Sequence, residues 1–228
     1  MLIVLEGLDG AGKSTQLKML TDHLAAKGCQ VDYLHFPRYD APVVGGMIAG
    51  FLRGDFGAID QVHPQVVAYL FAEDRRDAAP LIREKLAAGH CVILDRYVYS
   101  NIAFQCSKMS DDESAERLRD WIFDTEYNIY DIPKPDLNLF LDVPISFVDD
   151  KLHHSREGDD DRDYLNGKAD IHEASIEFQK RVRKVYLAQC ARDPHFLRID
   201  CGDAEGRMLP AKEIFAKIAA AADQLFTR

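Results

Sequence analysis

Residues 2–15 read LIVLEGLDGAGKST, and this stretch decides the fold. Leu2-Ile3-Val4-Leu5 is a short unbroken apolar run, the pattern of a strand buried on both faces. Gly7-Leu8-Asp9-Gly10-Ala11-Gly12-Lys13-Ser14 then matches G-x-x-x-x-G-K-[ST]. The glycines let the chain curl so that backbone N–H groups converge on one concavity, a nest for an anion. Lys13 can reach the β- and γ-phosphates of a nucleoside triphosphate, and the Ser14 hydroxyl can ligate Mg²⁺. The dipole of a helix beginning at Lys13 adds positive potential. A strand before and a helix after are the context that a P-loop requires.

Outward from that motif, short apolar runs alternate with helical patterns. Leu17, Leu20 and Leu24 have helix spacing, and Gly28 ends the pattern. Val31 to Phe36 reads as a second strand, stopped by Pro37. Val67, Leu70, Phe71, Ala78, Leu81, Ile82 and Leu86 mark a long amphipathic helix from Pro64 to Gly89. Cys91–Leu94, Leu137–Leu141 and Phe196–Ile199 predict three more strands. Helical patterns cover 111–126, 170–192 and 210–226, and Val143-Pro144 reads as the start of another helix. Strands alternating with helices imply a parallel sheet. The expectation is an α/β fold of the P-loop NTPase type, a three-layer sandwich with a five-stranded parallel sheet flanked by helices. One domain covers residues 1–228. Residues 153–168, HHSREGDDDRDYLNGK, are polar and nearly free of apolar anchors. On composition they read as a solvated loop; the alternative is a lid over an active site.

With 228 residues, 47% of them apolar and 29% charged, the chain has a globular composition. The 28 Lys+Arg against 38 Asp+Glu give a net charge of −10. Nucleic-acid polymers and anionic membranes demand a cationic footprint, so neither is an expected partner. A small anionic ligand held by a few local cations is not excluded. The five cysteines are scattered and form no C-x-x-C pair, which signals neither zinc nor a redox motif. The Leu2–Leu5 run is far shorter than the apolar core of a secretory leader. These features together predict a cytoplasmic enzyme.

The P-loop does not name the acceptor. Asp95 and Asp142 each end an apolar strand run, where a carboxylate can hold a magnesium shell. Asp95 is the stronger candidate because Arg96 follows it, and a cation there suits a second phosphate close by. A hydroxyl acceptor would need a general base. A phosphate acceptor is already an anion, and its problem is repulsion, which Arg and Lys clamps relieve. Phe36-Pro37-Arg38-Tyr39 offers a cation at the end of the second strand and no carboxylate. Lys13, Arg38 and Arg96 all leave strand ends of one sheet, where α/β sheets bind ligands. The pattern suits a phosphate acceptor.

At this point the chain resembles the thymidylate kinase family. The resemblance is carried by Glu6–Thr15, by Phe36-Pro37-Arg38-Tyr39, by Leu70-Phe71-Ala72-Glu73-Asp74-Arg75, by the run Asp95–Phe104 and by Pro135–Asp142. It implies ATP as donor, held by Gly7, Leu8, Asp9, Gly10, Ala11, Gly12, Lys13, Ser14 and Thr15, and dTMP as acceptor. It implies Mg²⁺ near Ser14, Asp95 and Asp9. Phe71 would stack on thymine and Arg75 would donate to a base carbonyl. Arg38 and Arg96 would clamp the acceptor phosphate, with Phe36 and Tyr39 lining it. Ser100 and Asn101 would line the base edge, and Asn can match the imide face of thymine. Phe104 would press on the sugar at C2′, and Asp9 would reach the 3′-hydroxyl or the magnesium shell. Some members of the family carry an arginine inside the P-loop, where this chain has Gly10. The resemblance then implies that lid cations replace it: Arg156 and Arg162 first, Lys151 and Lys168 after them. Tyr164 would cover the base. A homodimer packed through helices is implied as well.

Two rival readings have discriminating features. A deoxynucleoside kinase uses a Glu base near the end of the second strand, which has no counterpart in Phe36–Tyr39. A regulatory nucleotide-binding module needs neither a second phosphate clamp nor a base-stacking helix.

Overall fold

The computed structural model describes residues 1–154, 165, 172 and 175–226. Five strands form one sheet: β1 (Leu2–Gly7), β2 (Val31–His35), β3 (Cys91–Asp95), β4 (Leu137–Asp142) and β5 (Phe196–Asp200). Their order is β2-β3-β1-β4-β5, and every pairing is parallel. The five expected strands are all present. The three central strands are buried at every residue, which is why they read as unbroken apolar runs. The edge strands β2 and β5 are only partly buried and carry Asp32 and Arg198. The sheet's neighbours switch from β3 to β4 across β1, so the crevice for a ligand lies beyond the carboxyl end of β1. The register brings Leu5 beside Asp95, and Asp95 beside His35.

The helices are α1 (Lys13–Ala26), α2 (Val44–Leu52), α3 (Pro64–Ala87), α4 (Val98–Cys106), α5 (Asp112–Phe123), α6 (Ile145–His154), α7 (Ile176–Cys190) and α8 (Ala211–Asp223). They flank the sheet in two groups. α1 packs on β1, β2, β3 and α8, while α3, α4 and α7 pack on one another's neighbours and on β3, β1 and β4–β5.

Two helices, α2 and α4, have no counterpart in the sequence pattern. Three of the nine residues of α2 are glycine, a poor helix former. Gly45 is required there. A Cβ on it would lie 2.5 Å from the Tyr39 carbonyl oxygen and 2.6 Å from that of Arg38. The start of α2 therefore rests directly on the backbone of the Phe36–Tyr39 segment. α4 is buried at every residue, so it has no polar face and shows no amphipathic period. The helix expected over 111–126 is α5 followed by a π-helical turn, Asp124–Ile129. Asp111 caps α5 by accepting from the Ser114 N–H at 2.8 Å.

One large core joins the sheet to α1, α3, α4, α7 and α8. A second, smaller cluster of Ile48, Phe51, Leu52 and Val67 joins α2 to α3, with Tyr39, Leu70 and Phe71 half-buried against it. Phe71 is thus not part of the main core. Among the described residues no helix is long and apolar enough to cross a membrane.

Candidate active site

The P-loop connects β1 to α1. Gly10 and Gly12 have φ of 72° and 77°, the left-handed region that glycine adopts at little cost. Gly12 caps α1 with no side-chain bond, which leaves the first-turn N–H groups for an anion. Lys13 is almost enclosed. Burial, and then repulsion from Arg96, pull its ammonium below the ordinary lysine range, while Asp95 and Asp9 oppose the shift. Its Nζ lies 3.9 Å from Asp95 Oδ1. That oxygen is buried and has no hydrogen-bond donor. Leaving such an acceptor unpaired costs about 1–3 kcal/mol, so the position calls for a donor or a cation.

The rival aspartate is differently placed. Asp142 receives Arg183 Nε at 2.5 Å and Arg183 Nη2 at 3.0 Å, and Arg198 Nε at 2.6 Å. Both of its oxygens are occupied by guanidinium groups. Asp95, with one oxygen open, and the exposed Ser14 hydroxyl in the first turn of α1 form a hard oxygen set that fits Mg²⁺. Among the described residues no cluster of three His, Cys, Asp or Glu could hold a metal alone. Waters and phosphate oxygens would complete such a shell, the mode that Mg²⁺ favours.

Arg96 stands just past β3 with φ of 65°. Its Nη1 donates to the Gly7 carbonyl at 2.8 Å and to Ser100 Oγ at 3.2 Å, and its Nη2 to Asp9 Oδ1 at 2.5 Å. Its guanidinium also lies 5.2 Å from the centre of the Phe104 ring. Burial opposes the charge, but Asp9, with further help from Asp95 and Glu6, holds the group protonated. The other oxygen of Asp9 accepts from Gln179 on α7 at 3.0 Å. Beneath them Glu6 is wholly buried. It accepts the N–H groups of Tyr97 at 2.9 Å and Ser100 at 3.1 Å, and the hydroxyls of Ser100 at 2.5 Å and Tyr186 at 3.0 Å. Burial pushes its carboxyl upward, while Ser100 and Arg96 pull it back. Glu6 therefore ties the P-loop strand to the start of α4, from which Arg96 reaches the loop.

Arg38 follows a cis Phe36–Pro37 peptide. α3 holds it: Nε donates to Asp74 Oδ1 at 2.8 Å, and Nη2 to the Asp74 carbonyl at 2.9 Å and to Asp77 at 2.7 Å. Phe36 itself is buried against Tyr97, with ring centres 5.7 Å apart.

Further along α3 and α4 lies a polar cluster with almost no solvent. Arg75, Asn101 and Glu126 are 2%, 3% and 0% exposed. Arg75 donates to both oxygens of Glu126, Nε at 2.5 Å and Nη2 at 2.7 Å. Asn101 Nδ2 donates to Glu126 Oε1 and to the Ala68 carbonyl, both at 3.0 Å. Asn101 Oδ1 is buried without a partner. Beside them Phe104 packs on His172, with ring centres 5.1 Å apart, and on Phe178 at 6.1 Å.

A P-loop, an open strand-end aspartate and two clamped arginines thus gather beyond the carboxyl ends of the strands, with a buried polar cluster between α3 and α4. The thymidylate kinase family model matches residues 5–206. The chain belongs to the thymidylate kinase family. It is 32% identical to thymidylate kinase of Mycobacterium tuberculosis over 192 residues, which is 84% of this chain and 86% of that protein. It is 35% identical to the Homo sapiens thymidylate kinase over 145 residues, 64% of this chain and 62% of that protein. The solved structure of thymidylate kinase from Candida albicans superposes with a TM-score of 0.71 at 26% identity, covering 98% of this chain and 91% of that one.

Within this thymidylate kinase fold, Lys13, Asp95, Arg96 and Asp9 come together directly. Arg38 and Phe71 sit on the side formed by α2 and α3. The Ser100 hydroxyl, read in the sequence as a base-edge group, is bonded to Glu6, Tyr186 and Arg96. Arg156, Arg162, Lys168 and Tyr164, and the side chain of Lys151, lie outside the described residues. Glu6, Asp74, Gln179 and Glu126 hold the candidate site residues in place, and sequence reasoning did not single them out. One of them left a trace. Leu118 and Ile122 are the buried residues of α5, and Glu126 continues their four-residue spacing. A carboxylate in phase with a core face is a signal in itself.

Proposed function

We propose that the chain transfers the γ-phosphoryl group of ATP to dTMP, giving dTDP and ADP on the way to dTTP. The observation that carries this reading is the position of Arg96. It leaves the strand that bears the open aspartate and reaches the P-loop, so a second phosphate held by Arg96 would lie next to the one held by Lys13. The Phe36–Tyr39 segment that follows β2 holds no carboxylate to serve as base for a hydroxyl acceptor, and Asp74 and Asp77 are engaged with Arg38.

The steps assign work to residues as follows. The P-loop N–H groups and Lys13 hold the donor phosphates, with Ser14 and Thr15 at the start of α1. Asp95 and Ser14 would hold Mg²⁺, with Asp9 beside its shell; the cation, when bound, neutralises charge on the donor phosphates. Arg38 and Arg96 hold the acceptor phosphate and offset repulsion between the two polyanions. Phosphoryl transfer makes few demands beyond placing and charge stabilisation. Arg156 and Arg162 would supply lid cations to the transferring group, and Tyr164 would cover the base. Phe71, half-buried at the edge of the α2–α3 cluster, offers a flat face to thymine. Arg75 and Asn101 read the base edge. Phe104, held between Arg96, His172 and Phe178, is a fixed wall for the sugar. A homodimer would use exposed apolar residues on α2 and α3, such as Met47, Val66 and Tyr69; sedimentation measures it.

The test is ADP release with ATP and Mg²⁺ against dTMP, dUMP, UMP, CMP, AMP and thymidine. Turnover with dTMP and none with thymidine is expected. Turnover of thymidine alone would move the chain to the deoxynucleoside kinases. Nucleotide binding without acceptor-dependent turnover would make it a regulatory module.

A further inference from the structure

The Arg75–Asn101–Glu126 cluster contains more than two base-reading side chains. Ala68 O and Glu126 Oε1 are pure acceptors, and both face the same end of the Asn101 amide. Only the amide nitrogen can satisfy them, so the orientation of Asn101 is determined chemically. Its oxygen is left as an acceptor with no donor. Glu126 also takes Nε and Nη2 of Arg75 in a bidentate pair. Among the described residues this leaves Nη1 of Arg75 with no bond. One buried carboxylate thus leaves one free acceptor and one free donor on adjacent side chains. An imide edge, with its N–H beside a carbonyl, needs that pair. A cytosine edge, with an unprotonated ring nitrogen beside an amino group, meets it with both polarities reversed. Glu126 comes from the π-helical turn Asp124–Ile129, and such turns are frequent at functional sites.

We propose that Glu126 is a positioning residue for acceptor specificity: by orienting Asn101 and Arg75 together, it makes the pocket select an imide base over a cytosine-type base. This rests on the dTMP reading above. Glu126 touches no substrate; it acts through its two neighbours. A glutamine at 126 keeps one acceptor oxygen and sets an amide nitrogen against either Arg75 Nε or the Asn101 and Arg75 Nη2 pair, so it can no longer orient both neighbours together.

The experiment measures kcat and KM of the full chain with ATP and Mg²⁺ against dTMP, dCMP and N3-methyl-dTMP, for the wild type and Glu126→Gln. The wild type is expected to reject N3-methyl-dTMP and dCMP by about 100-fold or more in kcat/KM, because a fixed acceptor cannot adapt to a missing donor. In Glu126→Gln the preference for dTMP over dCMP should shrink by about tenfold or more, mostly through KM for dTMP, with KM for ATP unchanged. A purely structural role would lower kcat by loss of active enzyme and leave that ratio where it was. An unchanged ratio therefore overturns the proposal. Should Glu126→Gln not fold, Glu126→Asp keeps the charge opposite Arg75, withdraws from Asn101, and is read the same way. Should neither variant fold, the wild-type series decides: equal use of dTMP and N3-methyl-dTMP overturns the proposal, and rejection supports it. Wild type that turns over no dTMP sinks the acceptor reading itself. Turnover of dTMP with an unaltered ratio in the variant sinks only the role of Glu126.

Discussion

The ends of β3 and β4 look alike in sequence and differ in the fold. Each is an apolar strand that closes on a buried aspartate, Asp95 or Asp142. Arg183 from α7 and Arg198 from β5 both converge on Asp142. Asp95 keeps an unpaired oxygen with Lys13 near it. The same residue at the same kind of position is tied down by two guanidinium groups in one place and left with an open oxygen in the other. What separates them is which distant cations the topology delivers.

The strongest way to break this contrast is at β3. Asp95→Asn and Lys13→Ala should each lower kcat by on the order of 10²–10³ with little change in melting temperature, as loss of one group that stabilises transition-state charge does. Steady-state kinetics beside a thermal melt checks both. Equal damage to stability and turnover would make Asp95 another anchor. Asp142→Asn should do the reverse and cost about 1–3 kcal/mol of stability, while kcat of the folded enzyme holds. Its partners Arg183 and Arg198 are 35% and 46% exposed and can turn to water, which keeps the loss below that of a sealed ion pair. Denaturant titration measures it.

Acid should act at the β3 end and at His172 beside Phe104 rather than at Asp142. His35 lies in register beside Asp95, and burial, then Arg96 and Lys13, depress it below its ordinary value of 6.5 against the pull of Asp95. His172, against Phe104, is held well below 6.5 by burial and by Lys108 and Arg96. Both stay neutral in the fold and take up protons more readily once unfolded. Their contribution to stability is present above about pH 6.5 and is lost as pH falls below it, because the unfolded chain then binds the protons. Melting temperature followed from pH 7.5 to 5 should fall, and His35→Gln should flatten part of the slope. An unchanged slope in that variant removes His35 from the account. The smallest effect is expected from Arg183→Ala, below about 1 kcal/mol, since Arg198 remains on Asp142 and the lost pair is half-exposed.

The P-loop and the strands were legible because each is a local pattern: glycine spacing in one case, apolar runs of four or five residues in the other. α4 was not, because burial on every side erases the alternation that marks a helix. α2 was hidden by its glycines, one of which exists to let backbone meet backbone. Among the candidate site residues, Lys13, Arg38, Asp95 and Arg96 stood out because each lies at a strand end or in the loop just past one. The groups that hold them did not. Asp74 meets Arg38 across 36 residues, Glu126 meets Arg75 across 51, and Gln179 meets Asp9 across 170. A side chain whose role is to hold another has no local signature unless its polarity conflicts with its phase, as at Glu126.

The backbone of Arg96 carries a further consequence. Its φ of 65° is a conformation that glycine accepts and a side chain with a Cβ resists. Replacing it separates two quantities that most mutations confound. Arg96→Gly and Arg96→Ala both remove the guanidinium, and both should be nearly inactive. The glycine form should nevertheless be the more stable of the two by about 1–2 kcal/mol, since it alone sheds the left-handed penalty. At this position an adaptive walk toward thermostability would lead away from activity. A library selected for folding alone would enrich glycine where selection for turnover retains arginine.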